Sequence, residues 1–441
     1  MQPNQRENPV TTSEFEKATL ARVTRRLLPF LLLLYFISWL DRANLTFAAK
    51  TMRADLGIGD AAYGFGAGIF YIGYALCEVP SNLILARVGA RFWIARIMIT
   101  WGLVSAGMMF VQGPTSFYTM RFLLGVAEAG FLPGIIYYLS QWFPGGERAK
   151  AVSYFMTAIP LSIAVGSPIS GFLLELDGVA GLQGWQWMYL MEGMPAVILG
   201  VVVLFYLTDK PADAKWLSAE QRTWLAQRIH AEHGATEAKH GVTLRKVLVH
   251  PVVWKLALIM FACQTGSYGL TYWVTQVLDK STNLSQLTVI LLTAIPYIGA
   301  ALGMIFLGRS SDRRNERIWH IAIPTIIGAC GFIATGYMQA LIPALIALTV
   351  AAIGDYSTRG PFWALPGKFL TGDAAAAGIG FINSFAAIGG FVGPYSIGLL
   401  LHSTGNFESG MLMLALILLV GAFLTLRLRD VKELAGEQPW S

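Results

Sequence analysis

About twelve apolar runs, each near the roughly 20 residues that cross a bilayer as a helix, dominate this chain. They fall near 27–48, 62–85, 92–112, 117–140, 151–174, 187–207, 252–277, 286–308, 318–338, 340–367, 376–402 and 408–427. In hydrocarbon every backbone N–H and C=O must be satisfied internally, so runs of this length must be helices. A barrel would instead show short alternating segments. Only 13% of the residues are charged, about half the share usual in soluble domains. The expected fold class is an all-α polytopic membrane protein with twelve transmembrane helices.

The placement of charge explains the net +6 and removes any need for a nucleic-acid partner. Of 32 Lys and Arg, 25 fall in the two termini and in the connections on their side. Only Lys50, Arg53 and Lys280 lie on the other side, and Arg42, Arg121, Lys255 and Arg359 lie in spans. The positive-inside rule then predicts cytoplasmic termini, consistent with an even number of spans. The first 26 residues carry no signal-peptide core, so insertion is expected to start with the first span. Cys77, Cys263 and Cys330 fall within apolar runs as small packing residues, with no disulfide framework and no metal-ligand spacing. No G-x-x-x-x-G-K-[ST] loop is present, so ATP is not expected to drive the protein. No cofactor and no enzymatic nucleophile are expected.

The longest polar stretch, 208–251, divides the chain. It predicts a cytoplasmic N-terminal segment (1–26), a six-helix bundle (27–207), a cytoplasmic linker (208–251), a second six-helix bundle (252–428) and a cytoplasmic tail (429–441). Ser218 with Glu220 and Gln221 predicts a short amphipathic helix in the linker, with Trp224, Leu225 and Ile229 on one side. The halves repeat each other. NLILARVGAR (82–91) and GRSSDRRNER (308–317) keep Arg at equivalent places, and Pro168 and Pro394 share the same offset of 226. Two parallel six-span repeats make a transporter architecture with a site at the bundle interface.

The two loops resemble the signature G-x-x-x-D-R-x-G-x-R of the major facilitator superfamily. The first copy departs at Asn82 and Ala86; the second keeps Gly308, Asp312 and Arg313 but has Asn315. In that superfamily the loop latches the cytoplasmic side, which implies a gating role for Arg87, Arg91, Asp312 and Arg313. DRANLTFA (41–48), EVPSNLILARVGARFWIARIMITWG (78–102), RFLLGVAEAGFLPG (121–134), YYLSQWFPGGERAKA (137–151) and GPFWALP (360–366) are similar to the anion–cation symporter family within it. That family includes bacterial carriers of tartrate and sugar acids and animal sialic-acid and glutamate carriers. The resemblance implies a carrier of the bacterial inner membrane that works as a monomer.

A charge at the bilayer centre costs roughly 2.5–3.5 kcal/mol on insertion scales. Asp41 and Arg42, read as lying near the end of the first span, and Arg121 and Glu128 in the fourth therefore need a reason. Arg121 and Glu128 are seven apart and share a helix face, whereas Asp41 and Arg42 point about a quarter-turn apart. Arginine stays charged and presents a fork that matches a carboxylate, so Arg42 and Arg121 are the expected anion clamps. Asp41 and Glu128 are the expected proton-coupling acids. When ionised they would neutralise the arginines, and when protonated they would free them for a substrate carboxylate. The resemblance implies the same roles. The rival reading of the four charges is a fixed ion-pair network fastening helices.

Polar aromatics and one amide surround these charges: Trp39, Tyr71 and Tyr74, then Gln264, Tyr268, Tyr272 and Trp273. Trp39, Tyr74 and Tyr268 are expected substrate contacts. By the repeat offset Asp41 and Arg42 map onto Ser267 and Tyr268, so the second half should supply neutral hydrogen bonds. The tenth run, GDYSTRGPFWALPGK (354–368), predicts a broken helix. Arg359 there either binds the far carboxylate of a diacid or pairs with Asp355 at i,i+4. Trp363 would line the same pocket, and Asn383, followed by Ser384, is a substrate-hydroxyl partner by resemblance. Glu78 reads as structural. Glu192 reads as an acid at the N-terminus of the sixth span, where the helix dipole favours it.

The function expected is a proton-coupled symporter importing a small organic anion, a hydroxylated dicarboxylate or a sugar acid. A proton-driven exporter and a non-transporting sensor with a carrier fold are the alternatives. An exporter of cationic or apolar molecules would leave the paired arginines misplaced. A sensor would usually carry an appended signalling domain.

Overall fold

The computed structural model describes residues 9–237, 249–280, 282, 284–366 and 372–428. Within them the chain is helical, without strands. Among the described residues eleven helices are long and apolar enough to cross a membrane. The first six are Glu14–Leu56, Asp60–Val88, Ala90–Phe110, Pro114–Ser140, Lys150–Leu174 and Gly184–Tyr206. Five more are Gln286–Arg314, Ile318–Tyr337, Leu341–Trp363, Gly378–Thr404 and Glu408–Arg427. The helix Pro251–Lys280 stands between these groups and brings the number to twelve, in order the first to the twelfth span. Gln264, Thr265, Ser267 and Thr271 lower its hydropathy, and all four are buried. This seventh span faces protein rather than lipid over most of its length.

The first helix runs unbroken from Pro9 to Leu56. At 1.5 Å per residue it is ~72 Å long, more than twice the hydrocarbon thickness. The polar segment expected to precede the first span is therefore, from residue 9 onward, part of the same rod. Asp41 and Arg42 lie about 22 Å from its Leu56 end, deep in the span rather than near its end. The linker forms a helix, Ala219–Glu237, capped as its sequence predicts. Ser218 Oγ accepts from the Gln221 N–H, and Gln221 Oε1 from the Ser218 N–H, both at 3.2 Å. Leu225 and Ile229 are buried, and Trp224 meets Phe15 edge-on at 6.1 Å.

Two spans break where the repeat places them opposite each other. The tenth is helical over Leu341–Tyr356 and again over Arg359–Trp363, as expected. The fourth is helical over Pro114–Glu128 and again over Phe131–Ser140. Gly130 makes that second break, with φ +86°, where an L side chain is strained. The break frees the Ala129 carbonyl, and Ser81 Oγ donates to it at 2.7 Å. A broken helix is tolerated at membrane depth only where protein satisfies its backbone, and here a neighbouring span does so.

The two halves meet most closely at the end of the bundle opposite the termini. There the second span lies against the eleventh, the fifth against the eighth, and the first against the seventh. A Cβ on Gly64 would stand 2.5 Å from Pro394 O, and one on Gly398 2.5 Å from Asp60 O. This seam is backbone on backbone. On the other flank Leu287 and Ile290 of the eighth span cover Gly171 of the fifth.

Candidate functional site

Asp41 and Arg42 are neighbours in sequence and separate in space, because successive residues on a helix face different partners. Arg42 turns to the fourth span. Its Nε and Nη2 reach Glu128 Oε1 at 2.8 and 2.7 Å. Ser38, one turn earlier, donates to the same oxygen at 2.7 Å. The break just after Glu128 aims its carboxylate between the first and fourth spans. The Arg42 guanidinium also lies over the rings of Trp39, Phe70 and Tyr74, 5.3 to 5.4 Å from their centroids.

Asp41 turns to the third span. It accepts from Trp101 Nε1 at 2.6 Å, from Asn44 Nδ2 at 3.0 Å and from the Ser105 hydroxyl. Among the described residues it has no ion pair. The expectation that Asp41 neutralises an arginine is corrected: three neutral donors hold it instead. Behind it Glu192 accepts from Ser170 Oγ at 2.6 Å and lies beside Asn44. Glu192 is the ninth residue of the helix Gly184–Tyr206 and is 2% exposed. Its reading as a helix N-terminal acid fails, because the span starts two turns earlier.

Arg121 is fully buried and has no carboxylate partner among the described residues. Its Nε donates to Gly66 O at 3.2 Å, and its Nη2 reaches Ala67 O at 3.4 Å and Tyr272 Oη at 3.3 Å. Its Nη1 is buried without a partner. Arg121 and Glu128 occupy one helix, yet the acid goes to Arg42. The four charges therefore form one ion pair, one unpaired cation and one separately held acid, rather than a single network.

An aromatic wall joins the halves beside these groups. Trp39 stacks on Tyr268 (6.1 Å, 7°), Tyr268 touches Tyr71 (4.3 Å), and the hydroxyls of Tyr71 and Tyr272 meet at 3.1 Å. Tyr268 lies within the field of both Arg42 and Arg359. Arg359 hydrogen-bonds to Ser267 Oγ, and Ser267 in turn donates to Asp355. The Arg359 Nη2 to Asp355 Oδ2 distance is 4.0 Å. Of the two readings of this pair, self-neutralisation at i,i+4 is the one formed. Ser267, which the repeat makes the counterpart of Asp41, bridges it.

The remaining expected residues lie apart. Trp363 packs against the apolar cluster of Val252, Phe362, Leu365 and Ile382. Asn383 Nδ2 donates to Glu78 Oε1 at 2.8 Å, and Ser384 Oγ to Glu78 Oε2 at 3.1 Å. In the signature loops Arg91 pairs with Asp209 at the start of the linker, and Asp312 with Arg317 of its own half. Arg87 and Arg313 are exposed and make no ion pair among the described residues. Sequence reasoning missed Ser38, Trp101 and Ser105 as partners of the acids, and Glu78 as a bridge. Ser38 was findable at i,i+4 from Arg42, and Glu78 at i,i+4 from Tyr74.

Comparison with known proteins fits this geometry. A 441-residue chain with a polar, charged interior between two helical halves has many relatives. A protein of Agrobacterium vitis named "Putative tartrate transporter" is 50% identical over 96% of this chain and 93% of its own. A "Quinolone resistance transporter" of Acinetobacter baumannii is 42% identical over 93% and 95%. The "Inner membrane transport protein RhmT" of Escherichia coli is 39% identical over 93% and 95%. Among solved structures, a bacterial homologue of the lysosomal transporter Spinster superposes with a TM-score of 0.75. It is 18% identical, with 94% of this chain and 98% of that one covered. The Major Facilitator Superfamily profile matches residues 31–394, and the chain is a multi-pass membrane transporter that belongs to this superfamily.

Proposed function

We propose that the protein is a proton-coupled symporter that imports a small organic anion, a hydroxylated dicarboxylate or a sugar acid, by alternating access. One observation carries the reading: Arg121 is a fully buried guanidinium with, among the described residues, no carboxylate paired to it and its Nη1 amino group without a partner. A buried charge without a partner costs several kcal/mol, so such a site is completed by an anion. Arg42 supplies the second clamp once Glu128 releases it. Protonation of Glu128 removes the charge that holds Arg42 Nε and Nη2, and a substrate carboxylate takes its place. Proton and anion then bind together and leave together. Asp41 is the second proton-coupling acid, placed to alter the first span without competing for the arginine.

Trp39, Tyr74 and Tyr268 line the substrate, and Arg359, already paired with Asp355, borders the pocket from the other half without clamping a carboxylate. The name of the Agrobacterium relative supports a hydroxylated diacid. With both termini cytoplasmic in a bacterial inner membrane, the close contact opposite the termini makes this an inward-facing state. The carrier works as a monomer, because both jaws belong to one chain.

Uptake into proteoliposomes under an imposed pH gradient, with a panel of mono- and dicarboxylates, tests the reading. Acid-driven accumulation of at least one anion is expected. Glu128→Gln should abolish accumulation while sparing counterflow exchange; accumulation by that variant would overturn the mechanism. The second reading is proton antiport, favoured by the name of the Acinetobacter relative. It predicts proton-driven efflux of a cationic or apolar compound and no acid-driven uptake of any anion.

A further inference from the structure

The symport reading leaves Glu78 without a role. It sits in the second span, 4% exposed, one helical turn beyond Tyr74. The Arg42 guanidinium lies 5.4 Å from the Tyr74 ring centroid, so the acid one turn on in the same helix shares the neighbourhood of the arginine clamp. Its two carboxylate oxygens are taken by two donors from the other half: Asn383 Nδ2 at 2.8 Å and Ser384 Oγ at 3.1 Å. Two converging neutral donors on a buried carboxylate are the arrangement that a binding site offers an acidic ligand.

Among the described residues, the other polar side-chain ties between the halves lie elsewhere. Thr46 to Thr275, Lys50 to Asp279 and Arg53 to Gln276 close the end opposite the termini. Tyr71 and Arg121 meet Tyr272 within the aromatic wall. Glu78 makes its tie on the termini side of Tyr71. It is also a negative charge, which repels the second carboxylate of any diacid held by the arginines.

We propose that Glu78 is an internal stand-in for the substrate's distal carboxylate. It occupies Asn383 and Ser384 in the empty carrier and is displaced when a diacid binds. The inference rests on the carboxylate-carrier reading and deepens it. Binding a diacid then breaks a tie between the halves on the termini side as it makes bonds to each. A monoacid with an apolar far end cannot take the donors and leaves the tie in place. Glu78 is therefore a specificity-determining residue, acting by competition for two donors.

Counterflow exchange and ligand-induced thermal shift of the purified carrier test this, with a diacid and the monoacid of the same carbon skeleton. Glu78→Ala should lower the apparent KM for the diacid about tenfold, the worth of one charged hydrogen bond. It should leave the monoacid within about twofold, a change of under 0.5 kcal/mol. Glu78→Gln should give a smaller gain, because the amide still occupies the donors but no longer repels. Asn383→Ala should erase the gain in the double variant. Where the alanine variant does not fold, the isosteric Glu78→Gln decides, and an unchanged diacid KM in it overturns the proposal. Weaker binding of diacid and monoacid alike would mark Glu78 as a structural tie and also overturn it. Wild-type protein that binds no carboxylate at all would overturn the carrier reading itself. Wild-type binding with no gain in the variants would sink only the role of Glu78.

Discussion

Lys50 Nζ stands 2.8 Å from Asp279 Oδ1, one residue from each half, at the end of the bundle opposite the termini. Three residues along, Arg53 Nη1 reaches Gln276 Oε1 at 2.6 Å. The repeat offset of 226 carries Lys50 onto Gln276 and Arg53 onto Asp279. Each contact is therefore the image of the other, and the closure lies on the pseudo-twofold axis of the molecule. The two pairs differ in worth. Lys50 is 55% exposed at its side chain, and an exposed pair contributes roughly 0.2–1 kcal/mol. Arg53 also holds Asp60 at 2.5 Å and covers the rings of Tyr63 and Trp273.

Arg53→Ala should thus loosen the closure, while Lys50→Ala should barely change it. The measure is the rate of thiol labelling at a cysteine placed at Gln286, with Cys77, Cys263 and Cys330 replaced by serine. An increase of about tenfold is expected for Arg53→Ala and less than twofold for Lys50→Ala, following the difference in pairing. Equal rates for both variants would show that the arginine's extra contacts do not hold this end shut.

Replacing Arg121 by Met should separate stability from function. The guanidinium is buried, bonded to carbonyls and a tyrosine, and unmatched by any acid among the described residues. An apolar side chain of similar length removes a desolvated charge, so the variant's Tm should be no lower than that of the wild type. Anion binding should fall by about two orders of magnitude, the loss of one close charge pair in a dry site. A large drop in Tm would instead make Arg121 a structural residue.

The seam of the second and eleventh spans gives a steric prediction. Gly398→Ala would put a methyl group 2.5 Å from Asp60 O, a backbone atom that cannot step aside. A loss of about 1–3 kcal/mol is expected, with poor recovery of folded protein. Gly308→Ala has nothing within 4 Å and should be neutral. Gly171→Ala meets the far end of Leu287 at 2.7 Å and Ile290 at an ordinary 3.5 Å, and should cost much less than Gly398→Ala. Thermal unfolding of the three variants in one detergent is the measurement.

Glu316, between the eighth and ninth spans, supplies a pH dependence outside the membrane. Partial burial pushes its carboxyl up, but the Trp319 N–H, the His320 ring and the His320 N–H outweigh that and hold it below the usual glutamate range. With the folded pKa below the unfolded value of roughly 4.3, its contribution is present above that value. It disappears as pH falls through the folded pKa. The group is largely exposed, so the contribution is about 1 kcal/mol at most. Glu316→Gln should lower Tm at neutral pH, and the gap to wild type should close in acid. A gap that stays constant with pH would refute the assignment.

The residue list of the site was legible because charge in apolar runs is rare enough to stand out. Arg42, Arg121, Asp41 and Glu128 all proved to be buried. Their pairing was not legible. Asp41 and Arg42 serve different neighbouring spans, and the rotation of a helix among its neighbours is set by packing rather than by spacing. The break after Glu128 was signalled by Gly130 and Pro133, but the apolar run of the fourth span masked it. The tenth-span break announced itself through Pro361 and Pro366. Glu78 and Asn383 are 305 residues apart, and no local pattern could join them. The seventh span was read from the sequence despite its polar residues, because apolar residues fill the run between them; Ser267 and Thr271 find Asp355, Tyr356 and Tyr297 within their own half.

The two flanks at which the halves meet descend from one repeat, yet they are built of different material. Between the second and eleventh spans, at Gly64 and Gly398, backbone rests on backbone, with no rotamer there to relieve a closer approach. Between the fifth and eighth spans the branched ends of Leu287 and Ile290 fill the gap, and those can change rotamer. A fold assembled from equal halves thus has one edge that is unyielding at its glycine contact and one that can give by a change of rotamer. On the alternating-access reading proposed above, rocking would be lopsided, pivoting at the glycine contact and parting at the padded edge.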